Sequence, residues 1–140
     1  MTPRPKTVPI VAAFLFAATA IAAVTGTSLL FPNPLLDRLW EFNQPAAAGF
    51  RVLGRISGVL LLTLGAGTAA AGAGLLQRKK WAWWFAVALF AINGCGDVVS
   101  FCVTGDLLRS AIGVAIAATF LYYLIRPGVR SYFEESRSGR

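Results

Sequence analysis

Charged residues gather in short segments of the chain, and between them lie four apolar stretches, at 8–31, 52–77, 81–103 and 109–125. None of these alternates apolar and polar residues with the period of two that a half-buried strand shows. The first holds 24 residues. Coiled as an α-helix it would rise about 36 Å, enough for a hydrocarbon core of ~30 Å. The pattern predicts an all-α protein, a four-transmembrane-helix bundle forming one membrane domain over 1–140, with a polar tail at 127–140.

The connections differ in character. Pro32, Pro34 and Pro45 interrupt any regular helix between the first two spans. Leu35, Leu36, Leu39 and Phe42 nevertheless recur at helical spacing, with Asp37, Arg38 and Glu41 opposite. That arrangement predicts a short interfacial helix in the first loop, lying on the membrane. The second span turns rich in Gly, Ala and Thr over 65–74, a composition that lets helices approach closely in lipid. Arg78, Lys79 and Lys80 then form a tight basic turn, and Trp81, Trp83 and Trp84 open the third span as an aromatic belt. Asp106 and Arg109 mark a turn and the start of the last span, which Pro127 and Gly128 end, leaving a tail expected to fray. Tyr122 and Tyr123 read as interface anchors, and Arg126 and Arg130 as headgroup contacts.

Composition agrees with a bilayer. The chain is 56% hydrophobic and 14% charged, with a mean hydropathy of +0.65. Soluble domains carry about a quarter charged residues. The first span follows Arg4 and Lys6, as a secretory signal would. Signal h-regions run only ~7–15 residues, so this run is expected to remain as an uncleaved span.

The net charge of +7 does not indicate nucleic acid, because the basic residues cluster at the ends of apolar runs, with no basic stripe interleaved with aromatics. They orient the chain instead. Nine lie in the N-terminal segment, the second loop and the tail, against four on the other side: Arg38, Arg51, Arg55 and Arg109. By the positive-inside rule both termini are cytoplasmic, in a bacterial inner membrane.

The absence of histidine removes His-ligated haem, the common zinc sites and any histidine general base. No cofactor or metal is expected. Cys95 and Cys102 stand seven residues apart, roughly 10 Å along one helix, too far for a disulfide and expected as buried small hydrophobes.

One polar feature stands out. Asn93, Asp97, Ser100 and Thr104 recur at helical spacing on one face of the third span, and Phe90 and Ala86 continue that face as apolar residues. A charged Asp at the centre of a span costs ~2.5–3.5 kcal/mol, so Asp97 calls for a partner. Arg55 near the outer end of the second span lies at a matching depth, on the face that also carries Gly58 and Gly65. The candidate intramembrane site is therefore Arg55, Asn93, Asp97 and Ser100, with Arg55 and Asp97 as an ion pair. It would either fix how the helices dock or line a solute pocket.

The segment RKKWAWWFAV, then FAINGCGDVVSF, a TGD turn and YYLIRPGVRSYF resembles small four-helix bacterial membrane proteins of unassigned function. The resemblance spans 77–133 and implies the four-helix architecture without an activity. The glycine-rich filter of fluoride channels and the membrane-embedded Glu of small multidrug exporters are both missing. With one carboxylate inside the spans and no nucleophile beside a base, no enzyme is expected. The leading expectation is a non-enzymatic accessory or interaction subunit that contacts the lipid bilayer and self-associates or joins a larger membrane complex. The alternative is a small oligomeric transporter or channel using Asn93 and Asp97.

Overall fold

The computed structural model describes residues 5–31 and 54–134, and these are helical without strands. Four helices are long and apolar enough to cross a membrane: α1 (Thr7–Leu30), α2 (Arg55–Leu76), α3 (Lys80–Thr104) and α4 (Leu107–Ile125). A fifth, α5 (Pro127–Glu134), follows directly. The interfacial helix expected in the first loop lies outside the described residues.

Burial is not the pattern of a water-soluble protein. Ile21, Ile92, Val99 and Val103 point outward, Val103 at 79% exposure, while Ser28, Ser57, Thr68 and Ser110 are buried. An interior that holds hydroxyls inside an apolar exterior suits a solvent made of hydrocarbon.

The chain divides into two compact units, residues 14–70 and residues 1–13 with 71–140. In the first, α1 and α2 run antiparallel in close contact. A Cβ on Gly58 would sit 2.9 Å from the Gly26 carbonyl oxygen, and one on Gly26 would sit 2.9 Å from Leu62 Cγ. Real Cβ atoms do not come so near, so hydrogen at both positions is what allows the contact. One step along, the Thr19 hydroxyl lies 2.9 Å from the Leu15 carbonyl of its own helix and 3.2 Å from that of Gly65 across the pair.

In the second unit α2 ends in a Schellman turn. The Lys79 N–H donates to the Gly74 carbonyl at 2.8 Å and the Arg78 N–H to the Leu75 carbonyl at 3.1 Å. The left-handed residue is Arg78, with φ 60°, where glycine would be cheaper by roughly 1 kcal/mol. Its side chain offsets that cost. Arg78 Nε donates to the Tyr132 carbonyl at 2.6 Å, and its guanidinium stands 4.2 Å from the centre of the Tyr132 ring.

Between α3 and α4, Gly105 at φ 71° caps the outgoing helix through its N–H to the Phe101 carbonyl, and the Asp106 carboxylate accepts from the Arg109 N–H to start the next. The two helices then pack antiparallel in a register set by Gly94 against Ala117 and by the Phe90 and Phe120 rings, stacked with centroids 4.9 Å apart.

Two expectations change here. Arg126 adopts φ −51° and ψ 138°, the extended conformation that a following proline imposes. Pro127 then begins a new helix, where its missing N–H costs nothing. The tail is thus ordered through Glu134, with Val129, Tyr132 and Phe133 buried. Trp83, expected in the aromatic belt, is buried and donates its indole N–H to the Leu124 carbonyl at 2.9 Å, near the end of α4 where carbonyls lose their helical partners. Trp81 and Trp84 are exposed.

Gly58→Leu should push α1 and α2 apart and destabilise the protein by about 1–3 kcal/mol. Thermal melts in mild detergent check this, and a melt matching the parent would show that the close contact contributes nothing.

Candidate polar site in the third helix

The middle of α3 carries the polar residues singled out in the sequence, and their helical phase relative to α4 decides their surroundings. The α4-facing side of α3 runs through Ala86, Phe90, Gly94 and Asp97. Asp97 lies toward the α3–α4 turn end of this contact, half-buried. A Cβ on Gly113 of α4 would collide with both carboxylate oxygens and Cγ of Asp97. The hydrogen in that place points at the carboxylate, the arrangement of a weak Cα–H···O contact. Only glycine at 113 leaves the carboxylate room.

The rest of the stripe does not share that position. Asn93 and Ser100 stand exposed beside the contact, Asp97 rests on α4, and the Thr104 side chain is not among those described. Asn93 donates from Nδ2 to the Leu89 carbonyl one turn back, at 2.8 Å. Arg55 opens α2 and is exposed. It belongs to the other compact unit.

Three threonines inside the long helices behave like Asn93. Thr63 donates to the Val59 carbonyl at 2.9 Å, Thr68 to Leu64 at 2.7 Å and Thr119 to Ala115 at 2.7 Å. A hydroxyl bonded one turn back on its own helix is satisfied without water or a second helix. Toward the other end of α3 the stripe closes. Ala86 is fully buried, and Phe90, 4% exposed, is covered by Phe120. Phe90 precedes Asp97 by two turns, about 10 Å.

Cys95 and Cys102 are exposed, not buried as expected. They sit on the flank of α3 that turns away from the Phe90–Asp97 contact, and α4 does not reach over them. Cys95 instead lines a shallow apolar groove of about 520 Å³ between α3 and α4. Among the described residues no group of three His, Cys, Asp or Glu is placed to hold a metal ion. Gly113 is the site residue that sequence reasoning missed. Its signal was a glycine in the middle of the last span, which says that something approaches closely without saying what.

No protein-family model matches the chain, and no curated protein or solved structure matches it significantly.

Gly113→Val should lower stability by about 1–3 kcal/mol, because the carboxylate must leave its place. In an Asp97→Ala background the same change should cost much less. A double-mutant cycle on detergent melts measures this coupling. Additive effects would show that the two residues do not meet.

Proposed function

We propose that this chain is a non-enzymatic protein of the bacterial inner membrane, an accessory or interaction subunit that self-associates or joins a larger membrane complex. Its four long helices cross the membrane with both termini in the cytoplasm. The observation that carries this reading is the stack of Phe90 on Phe120 two turns from Asp97, continued by buried Ala86. A transporter or channel needs polar groups leading onward through the membrane. Here the stripe runs into packed apolar side chains, while the side chains of Asn93, Thr63, Thr68 and Thr119 are bonded within their own helices.

Asp97 in this reading fixes how helices dock, with Arg55 as its counter-charge. Because Arg55 is exposed, the pair is worth about 1 kcal/mol, in the range of ion pairs open to solvent or headgroups. Arg55→Leu and Asp97→Leu should each destabilise the protein in detergent, and the double variant should recover about that much. Vesicles containing the parent should leak cations no faster than protein-free vesicles. A cation flux that Asp97→Leu abolishes would replace this reading with the channel. The orientation rests on nine basic residues against four. Reporter fusions after Lys80 and after Arg140 should both report cytoplasm, and a periplasmic signal at Arg140 would overturn the topology.

A further inference from the structure

Asn93 lies near the middle of α3, and its side chain is exposed. One N–H of Nδ2 goes to the Leu89 carbonyl at 2.8 Å. A side-chain amide carries a second N–H and an acceptor oxygen, and among the described residues neither of these has a partner. Hydrocarbon offers no water and no polar group at this depth, so an amide left half-bonded there is costly. Helix α4 does not relieve it, because α4 packs on the side of α3 that carries Phe90 and Gly94.

Steps of four and three residues from Leu89 lead to Asn93, Gly96, Ser100 and Val103. This is the spacing along which two membrane helices lie side by side at a shallow crossing angle. Asn93, Gly96, Ser100 and Val103 are all exposed, and a Cβ on Gly96 would meet no atom within 4 Å. A second backbone can therefore come close beside the amide. The residues on either side of Gly96 turn away from this flank. Asp97 lies about 100° further round the helix and rests on Gly113, while Cys95 lies as far round in the other direction, in the α3–α4 groove. The carboxylate is thus off the flank that carries Asn93.

We infer that this flank of α3, over 89–103, is the surface through which two copies of the chain associate, with the Asn93 amides hydrogen-bonded to each other across a two-fold axis along the membrane normal. Depth and hydrogen-bonding character together select a second copy as the partner. Two copies inserted the same way hold Asn93 at the same level, and an isologous contact brings each residue near the axis to its own counterpart. An amide is donor and acceptor at once, so the remaining N–H of each Asn93 reaches the Oδ1 of the other and both are satisfied. A different protein would have to supply a polar group at that level, and a lipid tail has none. The inference rests on the self-association in the proposed function and names its surface.

The test is oxidative cross-linking of the full chain in phospholipid vesicles. With Cys95→Ser and Cys102→Ser in place, Gly96→Cys should form a disulfide between copies, which needs Cα atoms within about 7 Å of each other. The parent, whose thiols lie on the other flank, should not cross-link. In energy-transfer measurements between copies labelled at the amino terminus, Asn93→Leu should raise the dimer dissociation constant about tenfold, as two hydrogen bonds are lost in lipid. Asn93→Gln keeps the amide and should retain most of the affinity. Because these positions are exposed, each variant should melt like the parent at a dilution where both are monomers. A parent that cross-links while Gly96→Cys does not would move the interface to the groove and overturn the inference. So would a dimer indifferent to Asn93→Leu, and either result would leave self-association standing. A chain that stays monomeric at every protein-to-lipid ratio would also overturn it, and retention of that monomer by another membrane protein would preserve the accessory reading.

Discussion

The contact of α3 with α4 at Gly94 and Gly113 governs most of what surrounds it. In hydrocarbon, apolar side chains gain nothing by leaving lipid for a neighbouring helix, so close backbone approach and a few polar contacts must hold helices together. Gly94 meets Ala117, and Gly113 leaves room for the Asp97 carboxylate. These two contacts set a register that also stacks Phe90 on Phe120 and brings the Trp83 indole to the Leu124 carbonyl. A shift of one residue along either helix would break all four together.

The same register organises the end of the hairpin where α5 docks. Trp83 ties the start of α3 to the end of α4, where Pro127 prevents the helix from continuing. Helix α5 then folds back with Val129, Tyr132 and Phe133 buried, and Arg78 reaches its last turn from the α2–α3 turn. Arg78 keeps a left-handed backbone that glycine would hold more cheaply. A glycine there would relax the turn and lose the tether, which gives a reason for arginine at this position.

Polar groups inside the spans are few, and most of those described bond to their own helices. That economy favours a docking role for Asp97 over a conducting one. The two flanks of α3 differ in character. One presents Asn93 and Ser100, and the other lines the apolar groove with Ala91, Cys95 and Val98.

The number of long apolar helices was legible in the sequence, since segment length and hydropathy are set by the bilayer and need no knowledge of neighbours. So were the Asp106 helix start and the apolar continuation of the stripe through Phe90 and Ala86, because capping and helical phase are local properties. The seat of Asp97 on Gly113 was not legible. Phase within α3 fixes the angle between Asp97 and Cys95, but which angle meets α4 depends on both helices and on their register. For the same reason Cys95 and Cys102 were expected to be buried and are exposed, while Trp83 was expected at the headgroups and is buried. Residues 127–134 read as a fraying tail because eight residues are too few to hold a helix alone. Their order comes from burial of Val129, Tyr132 and Phe133 and from an arginine 54 residues earlier in the chain. Local chemistry decided which segments are helices, and only the packing of one helix on another decided which side chains they enclose.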